Sequence, residues 1–240
     1  MPYGETSKIL RLLTRDLGLQ SAIARGARRA KARTGPRLDL FAAGTATLLT
    51  KGQRELNPLT EFEVSAAHAG LARDVPRFAA ASALVELALR CAPADPHGEV
   101  FEAVLQGLGA IERAATDRTD ATALAACWGL IVALGFEPVL DRCAVCGAPL
   151  EGAVHFSAEQ GGALCGAHRG GHGVTKLAVP DRAALGALLA ERLPELPLDP
   201  RHAAAHRRLL LAFVRHHLAE HRALPALAFW DAEAWNATSS

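Results

Sequence analysis

Two closely spaced pairs of metal-binding residues restrict what this chain of 240 residues can fold into. Cys143 and Cys146 form a Cys-x2-Cys pair, and after eighteen intervening residues Cys165 and His168 form a Cys-x2-His pair. Two ligands at this spacing on a tight turn can face one ion, so the pairs together offer three thiolates and one imidazole in a tetrahedral set. The chain between them must turn back as a hairpin. The pattern therefore predicts a structural zinc site.

The segment around these pairs, residues 141–172, is rich in Cys, Gly and His and has little apolar periodicity. A metal must therefore replace the missing hydrophobic core. Because protein ligands fill all four positions, we expect no open position for water and no Lewis-acid chemistry. His172 is an alternative to His168 as the fourth ligand. Free or buried thiols are the simpler interpretation, but paired spacings of this kind rarely arise without a metal.

An enzymatic zinc site is another interpretation of the same residues. The sequence His97-Gly98-Glu99, followed by the Cys-x2-Cys pair, faintly resembles the zinc deaminases, in which a Glu beside a ligand His transfers protons. No Pro precedes Cys143, and this scheme leaves Cys165 and His168 without a role. We therefore predict that the protein is not an enzyme.

A strongly basic segment, residues 24–37, must lie on the surface, because burying several unpaired cations would be prohibitive. Its cations are Arg25, Arg28, Arg29, Lys31, Arg33 and Arg37, and it contains no acidic residue. Residues 1–60 hold eleven Lys or Arg against four acidic residues, a balance of +7, although the net charge of the whole chain is only +1. This asymmetry favours a polyanionic partner, above all nucleic acid. The alternative is a solvated loop whose charges only aid solubility.

Short apolar runs on either side of the basic segment predict a small β-barrel in residues 1–68. The expected strands are residues 8–14, 19–24, 45–50 and 55–64. Pro58 should place the last strand at a sheet edge or at a bulge. A basic loop between barrel strands is where OB-folds contact the backbone of single-stranded DNA, so we predict an OB-fold domain.

Helical spacing of apolar residues from residue 75 onward predicts an all-α domain in residues 69–240, with the zinc finger of residues 141–172 inserted. The expected helices are residues 75–92, 99–115, 120–136, 181–193 and 199–222. The fold class is therefore α+β with more than one domain. The longest uncharged run, residues 121–136, is too short to span a membrane, and no signal peptide is apparent, so we expect a cytoplasmic protein.

The last predicted helix, residues 199–222, is amphipathic. Its apolar face should contain Leu210, Phe213, Val214 and Leu218, and the opposite side Arg207, Arg208, Arg215 and Arg222. We expect its histidines to be solvated: His202, His206, His216, His217 and His221. Outside this helix, Cys91 and Cys127 lie in apolar helical segments and are predicted to be core residues.

Several motifs resemble those of the RecO family of bacterial DNA repair proteins. In the N-terminal part they are Tyr3-Gly4-Glu5-x-x-Lys8-Ile9-Leu10, Leu13-Thr14, Gly18 and Gly26-Ala27-Arg28-Arg29-x-Lys31-x-Arg33-x-Gly35-x-x-Leu38. Further along they are Leu84-Val85-Glu86-Leu87, Gly135-Phe136-x-Pro138 and the cysteine motif followed by Gly161-Gly162. The resemblance extends over nearly the whole chain.

The resemblance implies an N-terminal OB-fold and a helical domain with a zinc finger. It also implies a recombination mediator that binds and anneals single-stranded DNA, acts with RecR, and helps to load RecA on DNA coated by single-strand binding protein. The expected partners are single- and double-stranded DNA, RecR and the C-terminal tail of single-strand binding protein, and the expected location is the nucleoid. The residues that we expect to contact phosphates are Lys8, Arg11, Arg25, Arg28, Arg29, Lys31, Arg33 and Arg37.

The chain departs from the family pattern in two places. Relatives usually have additional residues before the Tyr-Gly-Glu motif, which supply a first barrel strand, so either the true start lies upstream or the barrel lacks that strand. His168 also stands where the family commonly has cysteine, and zinc accepts either ligand. The alternative function is a zinc-finger module that binds nucleic acid or protein without annealing strands.

Overall fold

Seven strands and six helices are present in the computed structural model, which describes residues 7–25, 38–49, 56–194, 198–218 and 222–233. The first four strands are β1 (Lys8–Thr14), β2 (Gly18–Ala24), β3 (Ala43–Leu48) and β4 (Asn57–Ala66). They form one sheet in the order β1-β2-β4-β3. The predicted hairpin is confirmed, since β1 and β2 pair antiparallel around a turn at Gly18, whose φ of 64° suits glycine.

The sheet differs from the predicted barrel. Strand β4 is central, because it pairs antiparallel with β3 and, over two residues, parallel with β2. Pro58 therefore does not lie at a sheet edge, which was one of the two predicted positions. The other, a bulge, agrees with a register shift between Thr47 and Leu48 of β3, opposite this part of β4. Within the described ranges no pairing closes the sheet into a barrel. An OB-fold closes with five strands, and these ranges supply four.

The sheet packs a small core on one of its faces. Ala22, Ala24, Leu38, Leu59 and Phe62 are buried there. Alternate residues of a strand point to the same face, so Leu10 and Leu12 of β1 reach this core together.

The rest of the chain is mainly helical. The helices are α1 (Val75–Cys91), α2 (Gly98–Arg113), α3 (Thr119–Ala133), α4 (Val179–Leu189), α5 (Pro200–His217) and α6 (Pro225–Ala232). Asp74 caps α1 by accepting from the Arg77 N–H, and Asp199 caps α5 by accepting from the N–H groups of Arg201 and His202. Among the described residues, no helix combines the length and apolar character needed to cross a bilayer.

Five of the six helices confirm the predictions. Helices α4 and α5 end earlier than expected, at Leu189 and His217, and α6 was not predicted. With eight residues, α6 is too short to show a periodic pattern. It nevertheless contributes Leu227 and Trp230 to the main hydrophobic core, and the Trp230 Nε1–H donates to Asp120 of α3 over 3.2 Å.

The predicted charged side of α5 is partly wrong. Arg208 and Arg215 are exposed, but Arg207 is fully buried. Its guanidinium pairs with Asp120 at 2.6 Å and with Glu233, and it lies 5.9 Å from the ring centroid of Trp230. Helix α6 and the start of α3 cover this side of α5, so the buried guanidinium needs these carboxylate partners.

Two of the histidines on α5 are also not solvated. His206 is buried, with 2% of its surface exposed. His217 is half-buried and its Nε2 lies 2.6 Å from the Ala158 carbonyl oxygen. His202 and His216 are exposed as expected, and His221 lies outside the described residues.

The sheet contacts the helical part through side chains and backbone. Arg15, in the β1–β2 turn, pairs with Glu102 of α2. Phe41 packs edge-to-face on Phe78 of α1, with 5.5 Å between ring centroids. At Gly18 the backbone approaches the carbonyl of Ala94 so closely that an added Cβ would lie 2.0 Å from its oxygen.

Candidate metal centre and nucleic-acid surface

A three-stranded sheet holds the cysteine-rich segment. Its strands are β5 (Val154–Ser157), β6 (Gly162–Leu164) and β7 (Val174–Leu177), in the order β6-β5-β7. Strands β5 and β6 form the hairpin predicted between the two ligand pairs. Phe156 of β5 faces Phe213 of α5, with 6.4 Å between ring centroids, so the finger is seated on the helical core.

The structure brings Cys143, Cys146, Cys165 and His168 together, with their ligand atoms all within 4.8 Å of one another. The Nδ1 of His168 lies 3.2 Å from the Sγ of Cys165 and 3.6 Å from the Sγ of Cys143. The Sγ atoms of Cys146 and Cys165 are 3.9 Å apart. With a Zn–S bond of about 2.3 Å, the edge of a tetrahedron is about 3.8 Å, so this donor set fits zinc.

The backbone of the first turn favours thiolates. The Gly147 N–H donates to the Cys143 carbonyl over 2.8 Å, and Gly147 has a φ of 73°, which allows the tight turn. Burial of Cys143 raises the pKa of its thiol, but hydrogen bonds from the N–H groups of Cys165, Cys146 and Val145 outweigh burial and lower it to about 5. A low thiol pKa is a property of metal ligands, because the metal binds the thiolate.

The remaining candidates for metal binding lie apart from this group. His172 is exposed and does not belong to the set of four, so the geometry favours His168 as the fourth ligand. His97 and Glu99, the deaminase-like pair, are likewise not members. Burial raises the pKa of Cys91 to about 11 and also raises the pKa of Cys127, which suits the predicted core positions and not ligand positions.

The described residues on either side of the basic segment lie near each other. Lys8 lies opposite Ala24 in the β1–β2 ladder, and the Lys8 Nζ donates to the Leu38 carbonyl over 3.0 Å. Ala24 and Leu38 therefore both lie beside the same edge strand, β1. Arg25, the first cation of the segment, is exposed. The other predicted phosphate ligands, Arg28, Arg29, Lys31, Arg33 and Arg37, lie outside the described residues.

The two cations of β1 have different surroundings. Arg11 is exposed, whereas Lys8 is half-buried because its amine is used by the Leu38 carbonyl. They are three positions apart, so strand alternation places them on opposite faces of the sheet. Of these two predicted phosphate ligands, Arg11 is therefore the more accessible.

Comparison with known proteins agrees with this architecture. The family description "Recombination protein O N terminal" matches residues 1–68, and "Recombination protein O C terminal" matches residues 72–225. The chain belongs to the RecO family. The RecO resemblance found in the sequence motifs is thereby confirmed.

Individual RecO relatives align with most of the chain. The "DNA repair protein RecO" of Anaeromyxobacter dehalogenans (strain 2CP-C) is 38% identical over 235 residues, which cover 95% of this chain and 91% of the relative. The protein of the same name from Anaeromyxobacter sp. (strain Fw109-5) is 33% identical over 236 residues, with the same coverage. That of Synechococcus sp. (strain JA-2-3B'a(2-13)) is 31% identical over 232 residues, covering 90% of this chain and 81% of the relative.

Proposed function

We propose that this RecO-family chain is a non-catalytic recombination mediator in DNA repair. It binds and anneals single-stranded DNA and, with RecR, helps to load RecA on DNA coated by single-strand binding protein. The proposal rests on family membership together with the concentration of cations in the N-terminal part, where residues 1–60 have a balance of +7. Its place of action is the nucleoid, in the cytoplasm.

Annealing needs charge neutralisation and no covalent step. Two DNA strands repel each other through their phosphates, and cations that bind both backbones release counterions and offset this repulsion. Ala24 and Leu38, described residues at the two ends of the basic segment in the sequence, both contact Lys8 of β1. The phosphate ligands in this proposal are Arg25, Arg28, Arg29, Lys31, Arg33 and Arg37, with Arg11 on the exposed strand face and Lys8 beside Leu38.

The test compares two triple variants of the full chain. Arg28→Ala/Arg29→Ala/Lys31→Ala removes three cations of the basic loop. Arg142→Ala/Lys176→Ala/Arg192→Ala removes three exposed cations elsewhere, at an equal change in net charge. The loop variant should lose annealing, and the slope of log K against log salt for single-stranded DNA should become less steep by about 2, since each phosphate contributes about 0.7. The control should match the parent chain.

Other outcomes of this comparison have clear meanings. If both variants bind and anneal DNA like the parent chain, the basic loop is not the DNA site. If the parent chain binds DNA through the loop but anneals no strands, the chain is an interaction module and the mediator proposal fails. A salt-independent affinity would also contradict it, because phosphate contacts release counterions.

We also propose that the four-residue cluster holds one structural zinc ion. Cys143 and Cys146 would supply one side of the tetrahedron, and Cys165 and His168 the other. Such an ion supplies folding energy to a segment with little core of its own. Metal analysis should find one zinc ion per chain fewer in Cys143→Ser/Cys146→Ser than in the parent chain and in His172→Ala. Loss of zinc in His172→Ala with retention in His168→Ala would instead make His172 the ligand.

A further inference from the structure

Two histidines and an aspartate converge where the first turns of α4 and α5 meet. His202 and His206 are separated by one helical turn on α5, and Asp181 lies in the first turn of α4. The Nε2 of His202 is 3.7 Å from Oδ1 of Asp181, and the Nε2 of His206 is 4.0 Å from the same oxygen. Both rings therefore turn the same nitrogen toward one carboxylate, and both distances are too long for a hydrogen bond.

His206 has an unusual environment for a histidine. Its side chain is 98% buried, and neither Nδ1 nor Nε2 has a hydrogen-bond partner within the part of the chain that the structure describes. Buried polar side chains in folded proteins nearly always have a partner. An unpartnered, buried imidazole whose Nε2 points toward a carboxylate suggests a ligand between the two groups.

The carboxylate of Asp199 fixes the orientation of the His202 ring. Its Nδ1 lies 2.7 Å from Oδ2 of Asp199, and Oδ1 of Asp199 accepts from the backbone N–H groups of Arg201 and His202 at 2.9 Å. A carboxylate in this position holds the Nδ1–H tautomer, which leaves the lone pair of Nε2 free on the side of Asp181. Metal-binding histidines in proteins are oriented by the same kind of contact.

We propose that His202, His206 and Asp181 form a second metal site, for a divalent transition metal such as Zn²⁺, distinct from the cysteine cluster. Two imidazoles and one carboxylate suit zinc, nickel or cobalt, and do not suit magnesium, which prefers oxygen ligands. With metal–ligand bonds of about 2.1 Å, the ligand atoms around a tetrahedral ion are about 3.4 Å apart. The distances of 3.7 and 4.0 Å from the two Nε2 atoms to Oδ1 of Asp181 would shorten by about 0.3 and 0.6 Å around such an ion.

The proposed site differs from the cysteine cluster in its chemistry. It has no thiolate, and its three protein ligands leave at least one position for water or another ligand. His202 is 51% exposed, so an ion can enter from solvent past this ring. A bound ion would link α4 to α5 and supply the missing partner of His206. The inference does not depend on DNA binding.

The experiment measures zinc binding by the full chain after both centres have been emptied and refilled. The variants are His202→Ala and Asp181→Asn, and the control is His216→Ala, which removes an exposed imidazole from the other end of α5. His202 is half exposed, and Asp199 keeps its backbone contacts in every variant, so folding should be preserved and can be checked by circular dichroism. Mg²⁺ serves as the ion that should not compete.

The parent chain and His216→Ala should bind about two zinc ions per chain, and both His202→Ala and Asp181→Asn should weaken the second ion by at least about tenfold. Cobalt separates the two centres, because only thiolate ligands give intense charge-transfer absorption. A single thiolate-bound ion in the parent chain would overturn the proposal, as would a second ion unaffected by either substitution. A loss in only one of the two variants would overturn the three-ligand assignment. If the cobalt-loaded chain lacks the thiolate absorption band but still binds the ion at His202, His206 and Asp181, only the zinc-finger proposal is contradicted.

Discussion

The N-terminal sheet and the helical part of the molecule differ in what stabilises them. Among the described residues, five buried side chains form the core of the sheet, whereas 34 form the core of the helices and the finger. The charges are distributed in the opposite sense, since residues 1–60 have a balance of +7 within a chain of net charge +1. The part with the least buried apolar surface therefore has the most mutual repulsion.

This difference shows why the sheet needs the helices. The five buried residues described in this core, two of them alanine, bury little apolar surface for a sheet of four strands. Contacts at Gly18, Arg15 and Phe41 seat the sheet on α1, α2 and the loop between them. The helical part thus adds support to a cationic part of the chain whose described core is small.

The largest effect should come from the buried cation of the helical part. Arg207→Met keeps most of the side-chain volume but removes the buried cation that pairs with Asp120 and Glu233. Breaking a buried pair in this way costs about 3–5 kcal/mol in the free energy of unfolding. Arg208→Met, one position along and exposed, is the control and should change stability by less than about 0.5 kcal/mol. If urea denaturation shows the same loss of stability in Arg207→Met and Arg208→Met, the ion pairs of Arg207 do not stabilise the helical part.

A smaller effect should follow from disturbing the contact between sheet and helices. Gly18→Ala places a Cβ against the Ala94 carbonyl and also forces alanine to a φ of 64°, so we expect a loss of about 2–4 kcal/mol. Gly152→Ala is the control. Gly152 has nearly the same φ, 66°, but an added Cβ there meets no atom within 4 Å, so this variant measures the conformational cost alone, about 1 kcal/mol. Hydrogen exchange should show faster opening of β1 and β2 than of α3 in Gly18→Ala. Uniform loss of protection would mean that the sheet does not open separately.

The smallest effect concerns the junction after β4. Glu112 of α2 interacts with Nδ1 of His68 at 2.8 Å and accepts from the Gly70 N–H, and the contact with His68 is the main cause that lowers the pKa of Glu112. A carboxyl whose pKa is lower in the folded state than in the unfolded state stabilises the folded protein at pH values above the unfolded pKa, here 4.5. This stabilisation is lost as the pH falls through the pKa of the folded state. The stability of Glu112→Gln should therefore decline less steeply than that of the parent chain below about pH 4.5. Parallel curves in urea denaturation would contradict this role.

Much of the fold followed from local patterns in the sequence. The β1–β2 hairpin, five helices and the hairpin between the ligand pairs were all predicted, because each depends on residues a few positions apart. Arg207 and His206 were placed wrongly on a solvated side, since their burial depends on α6 and α4, which are distant in sequence. The edge position considered for Pro58 was wrong for a similar reason, because β2, the partner on the second side of β4, is separated from it in the sequence by the whole basic segment.

The candidate sites divide in the same way. Spacing alone identified Cys143, Cys146, Cys165 and His168, because the ligands occur in two closely spaced pairs. Composition alone identified the basic segment, because its cations follow one another along the chain. The spacing of His202 and His206 by four residues is visible in the sequence, but their convergence with Asp181 is not, since Asp181 lies on another helix.

By itself, then, the sequence determined the local elements, the metal-ligand pairs, the charged loop and the family. Only the tertiary structure decided which charged and polar side chains are buried, that β4 is a central strand, and that an aspartate of α4 meets two histidines of α5. The physical reason is the range of the forces involved. Hairpins, caps and ligand pairs depend on neighbouring residues, whereas burial depends on which surfaces pack together after the chain has folded back on itself.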